Sequence, residues 1–362
     1  MRVLTLNAGS SSLRHALFDV DPAGARRLQA GNAEEVGDGH GEAAARLLAR
    51  LARDGVHPDA VGHRVVHGGP AHAAPARVDD ALVAELGDLT RLAPLHMPPA
   101  LDVLRRARAA LGAVPHVACF DTAFHRGMPE IAQRLPLPER LWQRGVRRYG
   151  FHGLSYEGVL DRLPEARRGR AVLCHLGNGA SMAAVRDGRP VDTTMALTPA
   201  GGLMMGTRTG DLDPGVLIHV MRTEGLDADG LERLVTRESG LRGVSGGTSD
   251  VRTLLAAAPA DPAARRALDL FAHLARRALG AMAASLGGLD VLVFTGGIGA
   301  HAAPVRAAVC DGLEHLGVRL DPGRNAGGGP VIGADGWACA VHVVEADEER
   351  VIARHAAAHA AP

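Results

Sequence analysis

Two turns rich in small residues, one in each half of the chain, constrain the fold more than any other feature of the sequence. The first covers residues 7–12 and the second residues 177–181, and each interrupts an apolar stretch that then resumes. The flanking strands are expected at residues 3–6, 13–18, 171–176 and 182–185. Such turns expose successive N–H groups and small hydroxyls that hold anions. The two turns are therefore either plain hairpin turns or a pair of phosphate-holding loops.

The length of the chain indicates two lobes. A single hydrophobic core stops growing at roughly 250–300 residues, and this chain has 362. Strand and helix patterns alternate along most of it, which is typical of an α/β protein. Helices are expected at residues 42–52, 79–92, 100–111, 262–286, 303–316 and from residue 347 onward, and further strands at 114–120, 290–294 and 338–344. A connector rich in Pro and Arg at residues 125–150 marks a domain boundary, and residues 295–299 form a glycine turn after a buried strand.

The basic residues exclude several kinds of active site. All 40 of them are arginine, so the chain has no lysine. A Walker A phosphate loop, a lysine Schiff base and the strand lysine of protein kinases are therefore excluded. If the protein handles phosphate, it must do so with arginine, backbone N–H groups and a metal ion.

Charge and cysteine usage indicate the compartment and the partners. The formal net charge is zero, which gives no reason to expect nucleic-acid or membrane-surface binding. The four cysteines (Cys119, Cys174, Cys310 and Cys339) have no paired spacing, so buried thiols are expected rather than disulfides or a zinc site. The N-terminal residues do not form a signal peptide, and no apolar stretch is long enough to span a bilayer. We expect a cytoplasmic protein with no nucleic-acid partner and no membrane association.

Ten ordered motifs together resemble those of the acetate kinases along nearly the whole chain. They lie at residues 7–14, 62–69, 93–99, 120–125, 147–153, 175–181, 205–211, 249–252, 294–299 and 347–349. The resemblance implies an α/β fold of two duplicated ribonuclease-H-like lobes with a nucleotide cleft between them, as in sugar kinases, actin and heat-shock ATPases. It places the N-terminal lobe at residues 1–121 plus 349–362 and the nucleotide-binding lobe at residues 122–348. It also implies that the two turns are duplicated phosphate-holding hairpins.

The resemblance further implies a reaction. Acetate kinases reversibly transfer the γ-phosphoryl group of ATP to acetate, giving acetyl phosphate and ADP by direct in-line transfer with Mg²⁺, for which Mn²⁺ is an alternative. Acetate is ionised at pH 7 because carboxylic acids have pKa values near ~4–5, so the nucleophile needs no general base. It needs charge neutralisation instead, which the planar, permanently charged guanidinium of arginine supplies. The family also implies a homodimer.

By the same resemblance, individual residues acquire roles. The catalytic residues would be Arg64, Asp121, His152 and Arg208, and the metal would bind at Asn7 and Glu348. His96 also falls at a family active-site position. Structural alternatives stay open: Asp121 could cap a short helical turn, Glu348 could be a first-turn helix charge, and the arginines could be ordinary surface residues.

Nucleotide and acyl binding are assigned in the same way. The nucleotide would contact Arg14, His175, Leu176, Gly177, Asn178, Gly179, Asp250, Val251, Arg252, Gly296, Gly297, Ile298 and Gly299. The methyl group of acetate would be surrounded by Val66, Leu95, Phe151 and Pro199, for which plain core packing is the alternative. An apolar pocket discriminates one extra methylene by only ~1–3 kcal/mol, so propionate is an expected poorer substrate.

Several positions depart from the family pattern or mimic other motifs. Arg14 replaces the usual lysine, and Met97, Gly201, Ala300 and His301 replace other family residues, which leaves nucleotide affinity and acyl preference open. The G-x-S-x-G at residues 243–247 follows no apolar strand, so a turn is expected there rather than a nucleophile elbow. Three other functions remain alternatives: a propionate or other short-chain acyl kinase, a catalytically silent nucleotide-binding relative, and a heat-shock-like ATPase.

Overall fold

The computed structural model describes residues 1–9, 12–34 and 39–360, and these form a mixed α/β structure. The chain divides into two compact units. Unit 1 comprises Met1–Arg126, Phe151–Gly158 and Asp347–Pro362, and unit 2 comprises Gly127–Gly150 and Val159–Ala346. Each unit has its own sheet, as the length of the chain predicts.

The elements are numbered in chain order within the described residues. The strands are β1 (Arg2–Ala8), β2 (Ser12–Asp21), β3 (Gly24–Glu34), β4 (Ala60–Val65), β5 (Ala76–Arg77), β6 (His116–Phe120), β7 (Arg170–Leu176), β8 (Ala180–Arg186), β9 (Arg189–Thr193), β10 (Val291–Thr295) and β11 (Ala340–Val343). The helices are α1 (His40–Arg53), α2 (Asp80–Asp88), α3 (Met97–Ala110), α4 (Glu130–Gln133), α5 (Glu139–Gln143), α6 (Gly153–Arg162), α7 (Pro214–Thr223), α8 (Ala228–Arg233), α9 (Gly240–Ser245), α10 (Val251–Ala257), α11 (Pro262–Leu286), α12 (Gly296–His301), α13 (Ala303–Cys310), α14 (Pro322–Gly327) and α15 (Glu348–Ala360).

The two sheets share one topology. In unit 1 the strand order is β3-β2-β1-β4-β6-β5, and in unit 2 it is β9-β8-β7-β10-β11. In both units the first three strands of this order are antiparallel. The third strand then pairs in parallel with the fourth, and the fourth pairs in parallel with the fifth. Strand β5 is an addition at the edge of unit 1. The duplicated lobes implied by the resemblance are therefore confirmed, although residues 10 and 11 of the first predicted turn lie outside the described residues.

Unit 1 buries both faces of its sheet, which explains the continuous apolar strands. Helices α1 and α3 cover one face, where Leu47 and Val103 pack with Leu4 of β1. Helix α15 covers the other face through Ile352 and its apolar neighbours. The approach of α15 is close, because a Cβ atom at Gly62 of β4 would lie 2.5 Å from Ile352 Cγ2.

Unit 2 is organised around the long helix α11. The side chain of Asp261 caps its first turn by accepting from the Ala263 N–H, and Gly287 ends it with φ +71°. Its buried residues, among them Phe271 and Leu279, form the apolar face that packs on β7 and β8. The helix predicted at residues 262–286 is confirmed at both ends.

Three sequence-predicted elements differ from the structure. The helix expected at 303–316 ends at Cys310, because Gly312 adopts φ +78° before a short 3₁₀ turn. The helix expected at 79–92 becomes 3₁₀ after Asp88. Residues 295–299, predicted as a turn, are the N-cap and first residues of α12. A short helix and a turn differ in whether the backbone hydrogen bonds continue into another turn. Residue composition alone does not distinguish these two structures.

The segment Phe151–Gly158 lies in unit 1, whereas the lobe boundaries predicted from sequence place it in the second lobe. Two hydrogen bonds explain its position. The Gly153 N–H donates to the Asp121 carbonyl (2.9 Å), and the His125 ring bonds the Phe151 carbonyl (2.9 Å). The bonded residues are about 30 positions apart in sequence, so these contacts could not be predicted from local sequence patterns.

The four cysteines are buried free thiols, as predicted. Burial raises the pKa of Cys310 and that of Cys339 to about 12, so both are protonated at neutral pH. Within residues 1–9, 12–34 and 39–360, the helices are too short or too polar to cross a lipid bilayer.

Buried neutral histidines should make unit 1 sensitive to acid. His63 Nε2 lies 2.9 Å from His116 Nδ1, and burial lowers the pKa of both rings; burial also lowers the pKa of His125 to about 4. Between pH 6.5 and about 4 these histidines are protonated in the unfolded chain but stay neutral in the folded chain. The free energy of unfolding therefore decreases as the pH falls.

We expect the free energy of unfolding, measured by urea titration, to decrease by up to ~1.4 kcal/mol per pH unit for each such histidine below pH 6.5. His125→Gln should reduce this slope relative to the exposed control His57→Gln. An identical slope in both variants would contradict the assignment of His125 as a neutral buried group.

Candidate functional site

The predicted unit 1 residues converge at one edge of its sheet. Strands β1, β4 and β6 are parallel neighbours, so their carboxyl ends lie side by side. Asn7 is near the end of β1, Arg64 is near the end of β4, and Asp121 directly follows β6. Glu348 begins α15, which packs on the same strands. In parallel α/β sheets ligands bind outside the carboxyl ends of the strands, and this is that edge.

Arg64 is fixed by Asp121 and Asn7. Its Nε donates to both carboxylate oxygens of Asp121 (3.1 Å each), and its Nη2 donates to Asp121 Oδ2 (2.6 Å). Its Nη1 donates to Asn7 Oδ1 (3.3 Å). The fork geometry of this pair fixes the plane of the guanidinium, which a lysine could not do. Asp121 thus orients the arginine, and the arginine in turn keeps the buried Asp121 paired.

Asn7 links this pair to two further carboxylates. Its Nδ2 donates to Glu348 Oε2 (3.0 Å) and to Glu349 Oε1 (3.1 Å), and Glu348 Oε2 lies 3.7 Å from Arg64 Nε. Glu349 was not singled out from the sequence, although it directly follows Glu348. Its position next to Glu348, within the motif at residues 347–349, is the sequence feature that could have identified it. Three carboxylates and one amide therefore surround a single guanidinium.

The electrostatics of this cluster favour an additional positive charge. Burial, together with the nearby Glu348, raises the pKa of Asp121 to about 6, although Arg64 acts in the opposite sense. Burial and Glu348 also raise the pKa of Glu349. Burial disfavours the charge on Arg64, but Asp121 and Glu348 outweigh it and raise the arginine pKa. Three carboxylates against one contacting arginine leave an excess of negative charge.

This donor set fits a divalent metal of the hard type. Buried carboxylate and amide oxygens are the ligands that Mg²⁺ prefers, and Mg²⁺ usually takes only one or two carboxylates plus waters and phosphate oxygens. Among the described residues no three His, Cys, Asp or Glu side chains are close enough to form a complete cage. The metal-binding role expected for Asn7 and Glu348 remains a prediction, and phosphate oxygens and waters would have to complete such a site.

His152 has a strained backbone next to this cluster. Its φ is +58°, one of only two positive values at non-glycine residues in the described chain. Such conformations cost about 1–3 kcal/mol and concentrate at functional sites. The His152 carbonyl accepts from Tyr156 N–H (3.1 Å), which starts the regular hydrogen bonding of α6. The strain supports the catalytic role expected for His152, which remains a prediction.

The predicted acyl wall is divided between the units. Val66 and Phe151 are buried in unit 1, with the Phe151 ring edge-on to His67 at 5.4 Å, and Leu95 is half-buried just before α3. Pro199 belongs to unit 2, where its carbonyl accepts from Arg208. Burial is consistent with an apolar wall and equally with core packing, so the role of these four residues remains a prediction.

In unit 2 the predicted nucleotide residues meet where β7 and β10 end. The strands are parallel partners, with His175 opposite Thr295. The Gly177 N–H donates to the Gly179 carbonyl (2.9 Å) and closes the turn around Asn178. Gly296 has φ +76°, and a Cβ atom there would lie 2.6 Å from the Leu176 carbonyl oxygen. Only glycine allows α12 to start this close to the turn.

The remaining nucleotide residues have other observed contacts. Asp250 caps α10 by accepting from the Thr253 N–H (3.0 Å), and its pairing with Arg252 (3.1 Å) lowers the pKa of Asp250. Val251 is buried, Ile298 is half-buried and Gly297 is exposed, whereas Gly299 is buried. Arg14 lies opposite Asn7 across β1 and β2, and its charge partly offsets the raised pKa of Glu349. Arg14 therefore contributes charge to the acidic cluster of unit 1, and its contact with the nucleotide remains a prediction.

Arg208 is held in a loop that joins the nucleotide turn. Its Nη1 donates to the Pro199 carbonyl (2.6 Å), and the nearby Gly206 N–H donates to the Asn178 carbonyl (3.1 Å). The loop is also tied to a π-helical segment, Leu234–Glu238, through Thr207 Oγ1 to the Thr236 carbonyl (2.8 Å). No sequence pattern predicts this segment, because its residues match no motif.

Comparisons with known proteins identify the family. The model of the acetokinase family matches residues 2–354. The chain belongs to the acetokinase family. It is 42% identical over 390 residues to an acetate kinase of Rhodopseudomonas palustris, covering 98% of this chain and 97% of that one. The chain is therefore an enzyme of the kinase class, and membership in this family implies ATP or ADP and a divalent metal ion.

Solved structures agree with the fold as well. The crystal structure of Porphyromonas gingivalis acetate kinase matches with a TM-score of 0.88 at 35% identity, covering 99% of both chains. A propionate kinase from Francisella tularensis also matches with a TM-score of 0.88, at 29% identity and 99% coverage of both chains. The two-lobed α/β class expected from the motifs is confirmed.

Proposed function

We propose that the protein is an acetate kinase, which reversibly transfers the γ-phosphoryl group of ATP to acetate and forms acetyl phosphate and ADP. The observation that carries the proposal is the Arg64 cluster, in which a guanidinium is fixed between Asp121 and Asn7 in a member of the acetokinase family. An ionised carboxylate approaching a polyanionic phosphate meets repulsion, and a preoriented arginine reduces it without reorganisation during the reaction.

No residue need act as a base, because acetate is already ionised at pH 7. Arg64 then orients and neutralises oxygens of the transferring group, Asp121 keeps Arg64 in place, and Arg208 supplies a second guanidinium. Mg²⁺, held through Asn7 and Glu348, would neutralise phosphate charge when bound, and Mn²⁺ is an alternative. In unit 2 the turn around Asn178 and the first residues of α12 offer backbone N–H groups to the nucleotide phosphates.

Trapping the product tests the proposal directly. With ATP, Mg²⁺ and acetate, hydroxylamine should yield acetate-dependent acetyl hydroxamate, and omission of any one component should abolish it. Equal ATP hydrolysis with and without acetate would instead favour a heat-shock-like ATPase. Absence of both activities at high enzyme concentration would favour a silent nucleotide-binding relative.

Acyl preference needs its own comparison, because one of the matching structures is a propionate kinase. We expect kcat/KM to fall from acetate to propionate to butyrate, by about 10–200-fold for each added methylene. A higher kcat/KM for propionate than for acetate would assign the protein as a propionate kinase and would leave the phosphoryl-transfer mechanism unchanged.

The surface of α7 supports the homodimer implied by the family. No residue of α7 is buried, and Val216 and Ile218 are 43% and 50% exposed. A ten-residue helix that exposes apolar side chains to water has marginal stability, so we expect another protein surface to cover it.

The buried free thiols are compatible with a reducing compartment, which supports the expected cytoplasmic location.

We expect light scattering to give about twice the chain mass of 37.6 kDa for the unmodified protein. Val216→Asp/Ile218→Asp should shift the mass toward a single chain, because both charges would be desolvated at the interface. Thr223→Asp, on the exposed end of the same helix, is the matched control and should leave the mass unchanged. A single-chain mass for the unmodified protein would exclude the homodimer.

A further inference from the structure

A pocket in unit 2 lies apart from the residues assigned to phosphoryl transfer. It has a volume of about 450 Å³ and is formed by the end of α6, the junction of α12 and α13, α14 and the end of β11. Volumes of 300–1,000 Å³ are typical of small-molecule sites. The ionisable side chains that line it are Arg162, His301, Arg306, His342 and Glu345.

Arg306 places a buried positive charge in the wall of this pocket. Its side chain is 1% exposed, and all of its recorded hydrogen bonds go to neutral oxygens. Nε and Nη2 bond Asn325, and Nη1 bonds the carbonyls of Gly299 and Ala300 (2.9 and 2.8 Å). Within the described part of the chain no carboxylate lies within 4.0 Å of it, in contrast to Arg64. Burying a cation without a counter-charge is costly, and burial accordingly lowers the pKa of Arg306.

Arg162 adds a second positive charge at the rim. Its Nη1 donates to the Glu345 carbonyl (2.8 Å), a neutral acceptor, and this bond holds the guanidinium at the pocket. The Glu345 carboxylate, the one acid of the lining, is paired with neither arginine. The lining therefore brings together two guanidinium groups and one carboxylate.

We propose that this pocket binds a small organic anion, a metabolite bearing a carboxylate or a phosphate group. The anion supplies the counter-charge that Arg306 lacks, and Arg162 donates to it directly. Its uncharged part packs on Ala303, Pro330 and Val344. Because Arg306 also holds the last turn of α12, the occupied pocket stabilises the helix that begins with Gly296.

Titration calorimetry tests the site in an Arg208→Ala background, which lacks one anion-binding arginine of the transfer site. The probes are succinate for the carboxylate and glycerol 3-phosphate for the phosphate ester, and glycerol is the uncharged control. We expect saturable binding of one equivalent of at least one anionic probe and none of glycerol. The probe that binds identifies which of the two groups the pocket takes.

Substitutions at the rim locate the binding. Arg162→Ala should weaken the affinity at least about tenfold, and Arg162→Lys should restore part of it. The exposed Arg168→Ala is the matched control and should not change the affinity. Failure of both probes to bind saturably at concentrations up to about 10 mM would overturn the proposal. Binding that neither Arg162→Ala nor His301→Ala weakens would overturn it as well. The measurement detects binding alone, so its outcome is independent of whether the enzyme phosphorylates acetate.

Discussion

Arg64→Ala should lower kcat by at least ~10²–10³-fold and should also destabilise the protein. The activity loss follows from removing a fixed guanidinium that neutralises the transferring group, an interaction worth up to ~10³–10⁵ in rate in other phosphoryl transfers. The stability loss follows from burial. Without Arg64, the fully buried Asp121 has lost its cation while Glu348 stays nearby. Breaking a buried pair from one side costs about 3–5 kcal/mol.

A second substitution separates the two effects. In Arg64→Ala/Asp121→Asn the unpaired carboxylate is gone, so the free energy of unfolding should recover by ~1–3 kcal/mol while kcat stays low. Urea titration and initial rates on both variants measure this, and Arg77→Ala, an exposed residue of the edge strand β5, is the control. Normal turnover in Arg64→Ala would remove this residue from the mechanism. Full loss of activity with unchanged stability would contradict the role of Arg64 as the counter-charge of Asp121.

Arg208→Ala should lower kcat by a similar factor but should leave stability closer to normal. Arg208 donates to a neutral carbonyl, that of Pro199, and its loop is held by backbone bonds that the substitution does not touch. Losing the bond to Pro199 leaves that buried carbonyl unpaired, which costs about 1–3 kcal/mol. Arg208→Ala should therefore reduce kcat about as much as Arg64→Ala does, but with a smaller loss in the free energy of unfolding.

Kinetics and urea titration of Arg208→Ala against the exposed control Arg189→Ala measure the contrast. Arg208→Lys should restore little of the rate, because an ammonium lacks the planar fork that both holds the Pro199 carbonyl and contacts phosphoryl oxygens. Near-normal turnover in Arg208→Ala would leave Arg64 alone as the catalytic cation. A stability loss as large as that of Arg64→Ala would show that Arg208 has a structural role.

Much of the fold could be predicted because its strands are buried on both faces. The runs around residues 3–6 and 171–176 are continuous apolar segments interrupted by small residues, and such a pattern has few structural solutions. Helix α11 could be placed because Asp-Pro begins it and Gly287 ends it. By contrast, the helices α7–α10 and the π-helical segment were not predicted, although Asp213, Asp227 and Asp250 cap the first turns of α7, α8 and α10.

The residues of the site could be named from motifs, but their partners could not. Asn7, Arg64, Asp121 and Glu348 lie in four separate stretches, and nothing in their spacing shows that one amide bridges Glu348 to Glu349. Charge pairing of this kind is decided by which strand ends become neighbours, which is a property of the sheet order. The same holds for Arg306, which is one arginine among many in the sequence and a buried cation with neutral partners in the fold.

The sequence by itself determined the α/β class, the duplication, the family and the absence of any lysine chemistry, because these depend on local pattern and residue type. Only the tertiary structure decided which carboxylates surround Arg64, that Glu349 joins them, that Phe151–Gly158 packs in unit 1, and that Arg162 and Arg306 face one pocket. The physical reason is that desolvation and charge pairing act between residues tens to hundreds of positions apart, so they exist only once the chain is folded.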